Sequence, residues 1–154
     1  MPGLAERPAE VEFALWLHDA VYKSWRSDNE ERSADWAVRL LEQGRATPAV
    51  VERVRALVLA TRHMAGRFTG DAALVVDVDL SILGQEDGVY AQFEQDVRKE
   101  YWWVPRRKYV EARVGILKSF LDREAIYVWP VFRERYEVRA RENLERAILA
   151  LSGQ

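Results

Sequence analysis

Ala9-Glu10-Val11-Glu12-Phe13-Ala14-Leu15-Trp16-Leu17-His18-Asp19-Ala20-Val21-Tyr22 is the stretch that decides the fold class. Val11, Leu15, His18 and Tyr22 recur at the spacing of one helical stripe. Phe13, Ala14, Trp16 and Leu17 fill much of the remaining circumference, so the stretch reads as a helix buried on most sides. The same period continues downstream. Ser27 or Asp28 opens a second helix, with Glu30 or Glu31 three residues on in capping-box spacing. It runs to about Gln43 and stops at Gly44, where glycine can take the left-handed conformation that ends helices. Thr47-Pro48 is an N-cap followed by proline at the first helical position, and Val50, Val51, Val54, Leu57, Val58 and Thr61 carry a third helix to about His63. Between Leu74 and Leu83, Val76-Asp77-Val78-Asp79-Leu80 alternates like a strand, but no other stretch offers it a partner. It is assigned to a helix capped by Asp71. Three more patterns run from about Glu86 to Trp102, from Pro105 to Leu121 and from Pro130 to Leu151. The expectation is an all-α protein: a short irregular segment over residues 1–10, then a single domain of about seven helices over residues 11–154.

Composition narrows the chemistry. The 154 residues are 49% apolar and 31% charged, with six Trp, six Tyr and five Phe, the profile of one globular domain and not of a disordered chain. There is no Cys and there are only two His, which excludes disulfides, thiolate metal sites and a cysteine nucleophile. Any metal has to be held by imidazole and carboxylate. A net charge of −2 offers no general attraction to nucleic acid or an anionic membrane. Met1 to Glu10 lacks the basic start and apolar run of a signal peptide, and no stretch approaches a membrane span, so the expected location is the cytoplasm.

Within this apolar pattern a few polar residues stand in the wrong place. His18 and Asp19 interrupt a run that is otherwise apolar, and a buried carboxylate needs an Arg, hydrogen bonds or a metal ion. A structural pairing of Asp19 with an Arg, with His18 a satisfied core residue, is the plain alternative. Asp77 and Asp79 repeat the anomaly, but on a helix they lie about 200° apart, so only one of them can face a given site. His and Asp side chains converging from separate helices suit a divalent cation (Mn, Mg, Co, Ni, Fe or Zn), which would activate a bound water. His63 reads either as a helix C-terminal histidine favoured by the macrodipole or as a site residue. Glu30 and Glu31 read as first-turn carboxylates or as groups that position water. Tyr101-Trp102-Trp103-Val104-Pro105-Arg106-Arg107-Lys108-Tyr109 mixes cations and aromatics, as single-stranded nucleic-acid binders do. One such cluster in an acidic chain reads better as a solvated face, and nucleic acid is not the expected partner.

Taken together, Trp16-Leu17-His18-Asp19-Ala20-Val21-Tyr22, Asp28-Asn29-Glu30-Glu31-Arg32-Ser33-Ala34, Ala60-Thr61-Arg62-His63 and Val76-Asp77-Val78-Asp79-Leu80-Ser81-Ile82-Leu83-Gly84 resemble the HD-domain superfamily, in its branch of predicted metal-dependent phosphohydrolases. Glu100-Tyr101, Tyr109, Arg113, Leu117, Phe120-Leu121, Ile126-Tyr127 and Ala140-Arg141-Glu142-Asn143-Leu144 extend the resemblance over nearly the whole chain from Val11. It implies that His18, Asp19 and Asp79 hold a divalent metal ion, with Asp77 behind the ligands. It implies a water-activated attack on a small phosphorylated substrate, a nucleotide foremost. Glu30, Glu31 and His63 would serve the chemistry, and Arg62, Lys108 and Arg113 the phosphate. The family's first His, upstream of the doublet, has no counterpart before Val11. Two alternatives follow: the chain starts downstream of its true beginning, or this member has lost a ligand and serves as a binding or interaction module. An uncovered groove beside Val11 to Tyr22 would favour a homodimer through Phe13, Trp16 and Leu17, or through Trp102 and Trp103.

Overall fold

Prolines set several helix starts, because a first helical position needs no N–H. The computed structural model describes residues 3–62 and 67–153. Its helices are α1 (Pro8–Leu17), α2 (Asn29–Gln43), α3 (Pro48–Ala60), α4 (Gly70–Asp79), α5 (Asp87–Glu100), α6 (Arg106–Leu121) and α7 (Pro130–Ser152), with a 3-10 helix (Leu80–Gly84) continuing α4. No strand occurs among the described residues, so the chain is all-α. No helix of the described residues is long and apolar enough to cross a membrane. The helices fall into two compact units, Met1–Asp79 and Leu80–Gln154, where the sequence suggests one domain.

In the first unit α3 packs against α1, α2 and α4. Ala14, Ala34 and Ala37 are fully buried and let backbones approach closely, while Val54, Leu57, Val58, Leu74 and Val75 fill the space between them. Several boundaries differ from the sequence reading. The irregular N-terminal segment is shorter, since α1 starts at Pro8, and α1 ends at Leu17 instead of Tyr22. Asp71 does not cap α4. It lies inside the first turn, and its two carboxylate oxygens accept the Glu6 and Arg7 N–H groups at 2.8 and 3.0 Å, just before α1. At the end of α2 the left-handed residue is Arg45 (φ 57°), not Gly44. Arg45 N–H donates to Glu42 O and Ala46 N–H to Leu41 O, the paired bonds of a Schellman ending. Thr47 caps α3 by accepting the Val50 N–H. Trp16 (78% exposed) and Trp102 (77%) stand out among the side chains considered for a dimer contact, whereas Phe13 and Leu17 are half-buried.

Arg53 of α3 grips Glu10 of α1 with two hydrogen bonds, 2.6 and 2.8 Å. Bonding to that guanidinium holds the Glu10 carboxyl below its usual 4.5. A carboxyl depressed in the folded chain contributes stability above its unfolded value and loses it as pH falls through the folded one. Acidification from about pH 6 to about pH 3 should therefore cost wild type more stability than Arg53→Ala. Equal losses in denaturation curves would show that the pair contributes nothing.

The second unit is organised by α7. Tyr127 donates its hydroxyl to Leu80 O, and Asn143 of α7 donates to both Leu83 O and Gln85 O. Glu137 accepts the Ile126 and Tyr127 N–H groups, while Arg141 donates to Leu121 O and Arg123 O. These side chains satisfy the backbone between α6 and α7. Helices α5 and α6 are joined by Arg113 on Glu94 and by Arg98 stacked over Tyr109.

Candidate metal centre

His18 caps the C-terminus of α1, and its ring orientation is set locally. Nδ1 stands 2.7 Å from Leu15 O. A carbonyl can only accept, so Nδ1 carries a proton and the other nitrogen is the one left for chemistry. That nitrogen, Nε2, lies 3.1 Å from Asp79 Oδ1 and 3.3 Å from Asp19 Oδ2. Asp79 is the last residue of α4, and Asp19 sits on the turn after α1. The His18 and Asp79 side chains are 17% and 22% exposed, whereas Asp19 is 71% exposed. Asp77, two residues earlier on α4, is fully buried and has partners of its own.

The electrostatics follow from this placement. A neutral ring would aim the Nε2 lone pair at two carboxylates, which is repulsive unless positive charge lies between them. Hydrogen bonds to Asp19 and then to Asp79 outweigh desolvation and raise the ring's pKa from 6.5 to about 10. At neutral pH a proton therefore holds the position on Nε2 facing both carboxylates.

No protein-family model matches the chain, and no curated protein or solved structure matches it either.

Two ligands of one ion, each at about 2.1 Å, stand about 3.0–3.4 Å apart in tetrahedral or octahedral arrangements. His18 Nε2 keeps such distances from both carboxylates. One imidazole nitrogen with two carboxylate oxygens is also a donor set for a borderline or hard divalent ion. A single proton offsets one of the two negative charges, and a divalent ion offsets both. Among the described residues, no three His, Asp or Glu side chains form a ready-made metal cluster. As it stands, His18 Nε2 is hydrogen-bonded to Asp79 Oδ1 and ion-paired with Asp19 Oδ2.

Glu31 Oε1 pairs with Arg62 at 2.5 Å, and Glu31 Oε2 is buried without a hydrogen-bond partner among the described residues. Glu30 is half-buried on α2. The expected capping box does not form: Asp28 occupies the N-cap position, but its carboxylate is drawn to Arg26 at 2.7 and 3.0 Å. His63 lies outside the described residues. Lys108 is exposed on α6 in the second unit. Arg113 of the same helix is bound by Glu94 at 2.6 and 3.0 Å, with both side chains at most 15% exposed.

Asn29 and Ser33 are functional candidates that the structure adds. Both are buried and polar on α2, inside the stretch whose neighbouring glutamates drew attention. Their four-residue spacing, which places them on one helix face with Ala37, was the available signal.

Proposed function

We propose that the first unit binds a divalent metal ion through His18, Asp19 and Asp79 and hydrolyses a small phosphorylated substrate, with a nucleotide as the class that the HD-domain resemblance favours. The observation that carries the reading is His18 Nε2 held between two carboxylates while Leu15 O fixes the opposite ring nitrogen. Such a carbonyl contact behind a ligating imidazole sets its tautomer and orientation. When bound, a divalent ion there supplies an acidified water and charge stabilisation for a phosphoryl oxygen. His18 and Asp79 hold their donors on helix ends, and Asp19 closes the set from a turn. Glu30 or Glu31, acids in the first turn of α2, would accept the proton of the attacking water. Arg62, held by Glu31, is assigned to a phosphate oxygen. Arg113 drops out of that role, since its side chain is only 13% exposed and Glu94 takes two of its donors, whereas the Arg62 side chain is 36% exposed beside its Glu31 contact.

The expected result is Mn²⁺-dependent phosphate release from a nucleotide panel, reduced more than about 100-fold in Asp79→Ala. A second reading, a binding module without turnover, is favoured by one observation: Arg62 and Arg113, both read as phosphate ligands, are paired with carboxylates. Nucleotide binding with no release in the presence of any of the divalent ions named above would establish that reading and overturn the hydrolase.

A further inference from the structure

Asp19 is the least supported member of the centre. With its side chain 71% exposed, little packs against it, so its carboxylate stands wherever the backbone puts it. On the N-terminal side that backbone leaves α1 with Ala20 N–H bonded to Leu17 O. On the C-terminal side it is gripped by α2. The Ser33 hydroxyl accepts the Val21 N–H at 3.1 Å and donates to Val21 O at 3.2 Å. The Asn29 amide does the same for Lys23, with Oδ1 accepting its N–H and Nδ2 donating to its carbonyl, both at 3.0 Å. The Asn29 amide also donates to Arg26 O.

One side chain thus reads both backbone groups of one loop residue, twice over. The spacing explains how. Positions 29 and 33 share one face of α2 and stand about 6 Å apart along its axis, and they meet the loop at Lys23 and Val21, two residues apart. Ser33 is fully buried and Asn29 nearly so, which shields these bonds from water.

We infer that Asn29 and Ser33 are positioning residues of the candidate metal centre: by clamping Val21 and Lys23 they fix Asp19 beside His18. This rests on the metal-binding reading, although the clamp can be tested without metal. Removing a partner that orients a ligand typically weakens metal affinity about 10- to 100-fold.

The test uses the full chain and its Ser33→Ala and Asn29→Ala variants, with Arg53→Ala as a control that destabilises the same unit away from the loop. Two quantities are read: Mn²⁺ affinity, and the carboxylate ¹³C resonances of Asp19 and Asp79 in the metal-free protein at constant pH. Ser33→Ala should bind Mn²⁺ at least about tenfold more weakly. It should also move the Asp19 resonance while leaving Asp79 in place, and Arg53→Ala should do neither. If Ser33→Ala does not fold, Asn29→Ala gives the same readings. Wild-type affinity with an unmoved Asp19 resonance in both clamp variants would overturn the inference, as would an equal loss of affinity in Arg53→Ala. If wild type binds no Mn²⁺ while Asp19 still moves selectively, the metal reading fails and the clamp stands.

Discussion

Gly84→Ala is expected to destabilise the chain by about 3 kcal/mol, the upper range for overpacking a close contact. A Cβ at this position would stand 2.5 Å from Tyr136 Cβ, 2.9 Å from Tyr136 O and 3.0 Å from Tyr136 Cα. Backbone atoms of α7 cannot swing aside as the end of a long side chain can. Neither element is free to retreat. The 3-10 helix is tied by Tyr127 to Leu80 O and by Asn143 to Leu83 O, and the Tyr136 ring packs against Tyr127 and Phe132. Urea denaturation should show a lower midpoint with an unchanged slope. A loss below about 1 kcal/mol, the centre of the distribution for ordinary substitutions, would mean that α7 yields.

Arg113→Ala should cost a similar amount, about 3 kcal/mol, because it leaves an uncompensated carboxylate whose side chain is only 15% exposed. Glu94 accepts two bonds from Arg113 and one from the Tyr90 hydroxyl at 2.6 Å, and the guanidinium lies over the Phe93 ring. Burial, and then the Glu94 carboxylate, push the Tyr90 hydroxyl far above its usual pKa, so it remains a donor. One hydroxyl cannot replace the guanidinium charge. Removing both charges with Arg113→Met and Glu94→Leu should recover most of the loss, since an apolar pair of similar volume is often neutral. A double variant as unstable as Arg113→Ala would show that packing, not the orphaned charge, sets the cost.

These two sites show where local sequence is silent. Helix starts were legible because proline and Thr47 act on the adjacent backbone. Helix ends were less so. The helical stripe of Val11, Leu15, His18 and Tyr22 continues to Tyr22, yet α1 stops at Leu17, where Ser33 and Asn29, 12 and 6 residues further on, offer Val21 and Lys23 hydrogen bonds that compete with helix. The strand-like alternation at Val76 to Leu80 resolves into α4 and a 3-10 turn whose carbonyls are taken by Tyr127 and Asn143. In the site, the misplacement of His18 and Asp79 among apolar residues was visible, because burying charge has one physical meaning wherever it occurs. But Asp19, expected to be buried with them, is 71% exposed because the chain leaves the helix before it. Which cations were free for phosphate was not visible. The partner of Arg113 lies 19 residues away on another helix, and no local period reports such a pairing.

Metal binding in this chain turns on His18 Nε2. Titration of the chain with Mn²⁺, followed by electron spin resonance for coupling to an imidazole nitrogen, addresses this without requiring turnover. The predicted result is a bound ion with a coupled nitrogen that disappears in His18→Gln, and an affinity sharply reduced in Asp79→Asn. Absence of binding at about 1 mM Mn²⁺, the edge of measurable specific affinity, or an unchanged nitrogen coupling in His18→Gln, would contradict it.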